Sequence, residues 1–80
     1  MKIQVFFFAA VREAFGESSC WIEVPDGSRI DEVLPLLETH EKKVPAEMPI
    51  VFAVNEHFEA GDKKLQDGDE LALMTPVSGG

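Results

Sequence analysis

One segment limits the possible folds more than any other, because it carries the apolar stripe of the main helix. Ile30, Val33, Leu34 and Leu37 recur at intervals of three and four residues. That spacing places side chains on one face of an α-helix. A single helix of this length can cover one face of a small sheet. The sequence therefore predicts a two-layer α+β fold, in which the main helix covers one face of the sheet.

Local signals give this helix an expected start and an expected irregularity. Ser28 follows the turn sequence Pro25-Asp26-Gly27, and Asp31 lies three residues further on. This arrangement predicts an N-cap at Ser28 with Asp31 as the acid of a capping box. Pro35 lies inside the apolar stripe and removes a backbone hydrogen bond, which costs about 3 kcal/mol. We therefore expect a bend or a second helix start near Pro35.

The remaining periodic segments predict strands and one short helix, which pack into a single domain spanning residues 1–80. The expected fold is a mixed sheet of about five strands, with the main helix and the short helix on one face. Strands are predicted at 2–8, 19–24, 50–54 and 70–75, with a brief return strand at Phe58, and the short helix is predicted at 9–15, ended by Gly16.

Alternation along the first strand predicts an apolar patch on the open face of the sheet. Phe6 and Phe8 fall on the face opposite to Ile3, Val5 and Phe7. If the first and last strands are neighbours, the open face also gathers Met74, with Trp21 nearby. Such a patch is typical of a protein-binding surface. The alternative is that a loop covers these aromatic residues, which are common on strands.

The chain ends in a segment that bears one chemically distinctive group. The last predicted strand is stopped by Pro76, and the sequence finishes with Gly79-Gly80. Glycine lacks a Cβ, so such an end can thread a narrow slot. One interpretation is an extended flexible tail, residues 76–80, whose terminal carboxylate is activated and carries a group into another protein's active site. The other is an ordinary frayed terminus.

Charge and residue usage exclude several functions. Fifteen acidic and seven basic residues give a net charge of −8, which argues against binding nucleic acid or an anionic membrane and is compatible with a basic protein partner. Cys20 is the only cysteine, so no intramolecular disulfide forms and a reducing compartment is expected. His40 and His57 have no metal-ligand spacing around them. We expect a soluble, cytoplasmic protein with no bound metal or cofactor and no catalytic set of its own.

Three segments together resemble a known family. They are Val5-Phe6-Phe7-Phe8-Ala9-Ala10-Val11-Arg12-Glu13, the turn after Val54-Asn55, and Asp67-Gly68-Asp69-Glu70 followed by a strand and Pro76-Val77-Ser78-Gly79-Gly80. The chain is similar from end to end to the small, sulfur-carrying subunit of molybdopterin synthase. It departs from the pattern at Thr75-Pro76, where that family commonly has two prolines.

The resemblance implies a ubiquitin-like β-grasp fold and a chemistry located on Gly80. In that family an adenylating, E1-like enzyme uses ATP to activate the terminal carboxylate, and a sulfurtransferase step converts it to a thiocarboxylate. The tail then enters the large synthase subunit, in a heterotetramer, and supplies sulfur for the dithiolene of molybdopterin. Gly79 provides the narrow approach. The partner-binding positions implied here are Phe6, Phe8, Arg12, Met74, Pro76, Val77 and Ser78.

Two other interpretations stay open. One is a related sulfur carrier that serves thiamin synthesis or tRNA thiolation. The other is a ubiquitin-like interaction module or protein tag that is joined to lysines through its terminus. The nine-residue start, Val5 to Glu13, and the Pro76-Val77-Ser78 block favour the molybdopterin carrier over the related carriers. The sequence does not exclude tagging, because a tag shares activation of the terminus up to the adenylate.

Overall fold

A computed structural model describes residues 1–39, 42–45 and 47–76. The described part contains five strands and two helices, in the predicted order. Their bounds are β1 Lys2–Phe7, α1 Ala9–Phe15, β2 Ser19–Glu23, α2 Ile30–Leu37, β3 Val51–Val54, β4 His57–Glu59 and β5 Glu70–Met74. Each of the four long strands is one residue shorter than predicted, at one end. Neither helix of the described chain is long and apolar enough to cross a bilayer.

The strands form one mixed sheet with the order β2-β1-β5-β3-β4. The first and last strands are neighbours and run parallel, with Phe6 beside Ala72. The other pairs are antiparallel, and β5 is bonded on its second side to β3. The predicted adjacency of the first and last strands is confirmed, and the mixed α+β sheet agrees with the predicted fold class.

Both helices bury part of their apolar surface against the same face of the sheet. Val11 and Phe15 of α1 are buried, as are Ile30 and Val33 of α2. The Phe15 ring stacks on the Phe7 ring of β1, with the centroids 4.7 Å apart. These residues share one core with inward-facing residues of β1 and β5, namely Ile3, Val5, Phe7, Leu71 and Leu73. The opposite face of the sheet carries no helix of the described chain.

The start of α2 differs from the prediction. Arg29, not Ser28, occupies the N-cap position. Its backbone N–H donates to Glu32 Oε1 at 2.9 Å, so Glu32, and not Asp31, is the acid of the first turn that caps the helix. The Ser28 hydroxyl instead donates to the Pro25 carbonyl oxygen at 2.6 Å. The Ser28 hydroxyl therefore stabilises the turn before the helix and not the helix N-terminus, where the sequence predicts it.

Pro35 does not restart the helix, which is continuous from Ile30 to Leu37. The hydrogen bond that the proline forfeits is the one to the Asp31 carbonyl, four residues earlier. The chain leaves the helix at Glu38, which has an extended conformation and donates its N–H to the Leu34 carbonyl at 3.1 Å. Because Pro35 lies in the last turn, its effect is confined to the end of the helix.

A two-residue turn joins β3 to β4 and is tied to the start of β5. Its central residues, Asn55 and Glu56, both have positive φ, 49° and 72°, as a type I′ hairpin turn requires. The Asn55 side chain accepts a hydrogen bond from the Glu70 N–H at 3.0 Å and donates to Asp69 Oδ1 at 3.0 Å. These bonds hold the turn next to the first residue of β5.

Candidate functional site

The open face of the sheet contains a row of side chains that crosses four adjacent strands. Strand register aligns Phe6 of β1 with Ala72 of β5, Ala72 with Ala53 of β3, and Ala53 with Phe58 of β4. Two alanines therefore occupy the middle of the row, and an aromatic ring stands on each side. Small residues between large ones create a depression in the surface of a sheet.

This depression, which we call the hollow, has a volume of about 370 Å³. Its remaining walls differ in character. Phe8 and Met74 line it together with two carboxylate residues, Glu56 and Glu70. The aromatic walls are accessible, since Phe8 is 47% exposed and Phe58 is 75% exposed. The complete lining is Phe6, Phe8, Ala53, Glu56, Phe58, Glu70, Ala72 and Met74.

The junction of β1 and α1 explains how Phe8 reaches the hollow. Strand β1 ends at Phe7, but the Phe8 N–H still donates to the Leu73 carbonyl of β5 at 3.0 Å. Phe8 keeps an extended backbone, with φ −125° and ψ 151°, and serves as the N-cap of α1. Its side chain thus continues the alternation of the strand and falls on the open face. Ala9 then turns the chain with a φ of 51°.

The structure brings together three residues that the sequence places on this face, namely Phe6, Phe8 and Met74. Trp21 lies on the same face, opposite Gln4, but does not line the hollow. Its ring centroid is 5.8 Å from the Lys2 ammonium nitrogen, close enough for a cation–π contact. That these residues bind a partner stays a prediction.

The other predicted site residues do not line the hollow or lie outside the described residues. Arg12 is exposed on α1 and does not line the hollow. Pro76 is exposed two residues after β5. The remaining positions, Val77, Ser78, Gly79 and Gly80, lie outside the described residues, as does the predicted tail beyond Pro76. The chemistry assigned to Gly80 is therefore taken up below as a proposal.

Sequence reasoning missed Phe58 as a wall of the hollow. It predicts only a short return strand there, without assigning the face of its side chains. The signal was nevertheless present, because a two-residue turn at Asn55-Glu56 pairs Val54 with His57 and hence Ala53 with Phe58. Residues paired across a hairpin share a face. Counting outward from the turn would have placed Phe58 beside the predicted patch.

The cysteine is poorly suited to act as a sulfur nucleophile. Partial burial, followed by the negative charge of Glu17, raises the pKa of the Cys20 thiol, against the opposing effect of Lys42. A raised pKa leaves the thiol protonated at neutral pH, and the thiolate is the reactive form. No group of three or more potential metal ligands occurs among residues 1–39, 42–45 and 47–76.

A second depression, of about 360 Å³, lies beside the β3–β4 turn and has a polar lining that includes His57, Lys63 and Lys64. Asp69, also in its wall, is already engaged by the backbone N–H of Gln66 at 2.8 Å. His57 Nδ1 lies 3.0 Å from the Asn55 carbonyl oxygen. Asp69 and His57 thus contact nearby backbone groups, and the hollow is the stronger candidate site.

Two related sequences cover the whole chain. A molybdopterin synthase sulfur carrier subunit of Chlamydomonas reinhardtii is 36% identical over 83 positions, with 100% of both chains covered. Small archaeal modifier protein 3 of Haloferax volcanii is 27% identical over 92 positions, again with 100% of both chains covered. The similarity thus extends over the full length of both relatives.

Solved structures share the fold. A Pyrococcus furiosus protein named for subunit 1 of molybdopterin converting factor superposes with a TM-score of 0.82 at 26% identity, covering 96% of this chain and 99% of that one. A chain from the complex of subunits 1 and 2 of the Helicobacter pylori molybdopterin-converting factor gives 0.67 at 26% identity, with both chains covered in full. A ubiquitin-like protein of Caldiarchaeum subterraneum gives 0.56 at 19% identity, with 99% and 100% covered. The predicted ubiquitin-like fold is confirmed.

The model of the ThiS family matches residues 5–80, which include the terminal glycines. The resemblance to sulfur-carrier subunits of molybdopterin synthase is confirmed by the relative that is 36% identical over the whole chain. The chain belongs to the ThiS family.

Proposed function

We propose that this chain is the sulfur-carrying subunit of a molybdopterin synthase and that the carried sulfur is bound to the carboxyl carbon of Gly80. The chain contributes no catalytic groups of its own. It acts as a co-substrate whose terminus is loaded by one enzyme and unloaded in another. We expect no cofactor on this chain, since ATP is consumed by the activating enzyme.

The loading chemistry follows from the reactivity of a carboxylate. A carboxylate is a poor electrophile, so an E1-like enzyme first joins it to the α-phosphorus of ATP, with release of pyrophosphate. A sulfurtransferase persulfide then displaces AMP at the acyl carbon to give an acyl disulfide, and a thiol reductant cleaves its S–S bond to leave the thiocarboxylate. Gly79 and Gly80 carry no side chains that would obstruct passage through a narrow channel.

Unloading takes place in the large synthase subunit, where the thiocarboxylate gives its sulfur to a cyclic pyranopterin monophosphate. A dithiolene holds two sulfur atoms, so each molybdopterin requires two loaded carriers. In this proposal the hollow is the surface on which the large subunit docks, and Phe6, Phe8 and Met74 form the apolar part of the contact. Pro76, Val77 and Ser78 connect that surface to the reactive end, and Arg12 contributes an ion pair at the edge.

The observation that carries the proposal is the extent of the sequence relationship. The ThiS family model matches through residue 80, and a sulfur carrier subunit aligns with this chain over the full length of both. The path of the chain agrees with it. Strand β5 contributes Ala72 and Met74 to the hollow and continues directly to Pro76, so a partner that covers the hollow also meets the start of the terminal segment.

Intact mass spectrometry tests the loading step. The chain is incubated with the activating enzyme of the same organism, ATP and a sulfur source. We expect a mass change corresponding to one sulfur in place of one oxygen, located by fragmentation on Gly80. Removal of Gly80 should abolish the mass change and the synthase activity, and Asp62→Asn, at an exposed residue that does not line the hollow, should retain both. Sulfur transfer by the chain without Gly80 would refute the proposal.

The same incubation separates the carrier from the protein tag, which the similarity to an archaeal modifier protein keeps as the second candidate. A tag forms isopeptide bonds between Gly80 and lysines of other proteins. Such conjugates appear as bands of higher mass that resist thiol reductants. Conjugates without molybdopterin formation in the reconstituted synthase would favour the tag.

A further inference from the structure

One end of the hollow is acidic, and this charge is not used by the fold. Glu56 and Glu70 line it, and both are exposed. The ion pairs found in the described chain involve Asp26, Asp31 and Glu32. No cationic group of residues 1–39, 42–45 and 47–76 therefore lies within 4.0 Å of the Glu56 or Glu70 carboxylate. Their charge faces whatever occupies the hollow.

The two carboxylates have a defined position relative to the apolar part. Glu70, Ala72 and Met74 are alternate residues of β5, so all three lie on the open face, where they line the hollow. Alternate residues in a strand are about 7 Å apart. The acidic end thus lies about 7 Å from the floor at Ala72 and about 13 Å from Met74, where the chain leaves toward its terminus.

We propose that the hollow receives a protein partner of specific chemistry: an apolar side chain seated over Ala53 and Ala72, and a lysine or arginine about 7 Å away that pairs with Glu56 and Glu70. This inference rests on the proposed function and adds to it the nature of the docking partner. A basic group is favoured because it meets two rim carboxylates on a chain with a net charge of −8. A second copy of the chain also carries a net charge of −8, so two copies repel each other.

The charged end also fixes the direction of docking. The hollow is apolar at its Met74 end and acidic at its Glu70 end. An apolar seat alone would accept a partner segment in either orientation. With a basic group held at Glu70, the partner's opposite end faces Met74 and the start of the terminal segment. The carboxylates thus select the orientation in which Gly80 can reach the partner's active site.

Calorimetric titration with the purified large molybdopterin synthase subunit of the same organism tests this inference. The variants are Glu56→Gln, Glu70→Gln and the double variant. Glu70→Asp keeps the charge, and Asp62→Asn removes a charge from an exposed residue that does not line the hollow. At ~0.02 M salt the double variant should bind about three- to tenfold more weakly, and the difference should shrink at ~0.5 M. Asp62→Asn should bind as the unmodified chain does, and Glu70→Asp, which keeps the charge, should bind more tightly than Glu70→Gln.

The inference is overturned if the double variant matches Asp62→Asn in affinity and in salt dependence. It is also overturned if the unmodified chain does not bind the large subunit, or if sedimentation shows a dimer that Phe58→Ala dissociates, since a second copy would then occupy the hollow. Failure of the proposed function has a separate signature, the absence of the sulfur-for-oxygen mass change on the unmodified chain. If the double variant still shows the sulfur-for-oxygen mass change but binds the large subunit more weakly in a salt-dependent way, the result supports both the inference about the hollow and the proposed function.

Discussion

Replacing Phe8 with aspartate should leave the chain folded while removing its ability to bind a partner through the hollow. Phe8 is the N-cap of α1, and its side chain makes no capping hydrogen bond. Aspartate is among the preferred N-cap residues, because its carboxylate accepts hydrogen bonds from the first turn and interacts favourably with the helix dipole. The same substitution places a charge in the apolar part of the hollow's wall.

The opposing effects on stability are of similar size. Burying a whole phenylalanine side chain contributes about 1.5–3 kcal/mol, and Phe8 is 47% exposed, so its loss costs roughly 1 kcal/mol. A capping aspartate returns about 1 kcal/mol. In the complex, the lost contact and the desolvated charge together should cost about 3 kcal/mol, which is roughly a hundredfold in the dissociation constant.

Three substitutions at this position separate the contributions. Phe8→Asp supplies a cap and a charge, Phe8→Asn supplies a cap without a charge, and Phe8→Ala supplies neither. Urea titration measures the free energy of unfolding of each variant, and calorimetry with the large synthase subunit measures affinity. Stability should follow the order aspartate and asparagine above alanine, while affinity should be lowest for aspartate.

The reasoning fails if the order differs in either assay. An aspartate variant less stable than the alanine variant would mean that residue 8 does not cap α1. An aspartate variant that binds as tightly as the unmodified chain would remove Phe8 from the interface.

Three further outcomes follow from burial, backbone conformation and the pKa of the thiol. Leu71 is fully buried, so Leu71→Ala should lower the free energy of unfolding by about 2–5 kcal/mol in urea titration. Leu36 is 55% exposed, so Leu36→Ala should lower it by less than about 1 kcal/mol. Equal losses in the two variants would contradict the assigned core. Residue 56 has a φ of 72°, a conformation that costs glutamate energy and glycine little, so Glu56→Gly should raise the free energy of unfolding by about 1 kcal/mol. The melting temperature should rise by about 4–8 °C. A lower melting temperature would contradict this prediction. Cys20 should react with iodoacetamide more slowly in the folded chain than in urea at neutral pH, because its folded pKa is raised. Stability linked to the protonated thiol should decline as the pH rises from the pKa of Cys20 in the unfolded chain to its higher pKa in the folded chain, and the difference in reaction rate should decline with it. Equal rates at neutral pH would count against the raised pKa.

The strand pattern was predictable because it depends on side-chain alternation alone. Ile3, Val5 and Phe7 are fully or almost fully buried, as the period of two along β1 requires. Phe6 and Phe8 then had to fall on the open face. Met74 joined them once β1 and β5 were taken as neighbours, which the structure confirms.

Features that depend on competition between local interactions were less predictable. Ser28 has the side chain of an N-cap, but the Pro25 carbonyl takes its hydroxyl hydrogen bond. Whether the hydroxyl donates to the carbonyl of the preceding turn or accepts from an N–H of the first helical turn depends on the geometry of the turn and not on residue type. The consequence of Pro35 likewise depends on where the helix ends. The helix ends at Leu37, two residues after Pro35, so the backbone hydrogen bond that Pro35 lacks does not divide the helix.

The hollow itself needed register as well as alternation. Its floor consists of Ala53 and Ala72, two residues with no sequence signal for binding. They become a depression only because adjacent strands align them between Phe6 and Phe58. Register across β5 is set by long-range pairing, which a single sequence does not display.

The central place of β5 bears on how the protein is made. Strand β5 is the last of the five described strands to be synthesised, yet it is bonded on one side to β1 and on the other to β3. Until Met74 has left the ribosome, the sheet can form only as two separate pairs of strands, β1 with β2 and β3 with β4, and isolated pairs of strands are marginally stable. Assembly of the sheet is therefore a late event in biosynthesis, and chains terminated before residue 70 remain substrates for proteolysis.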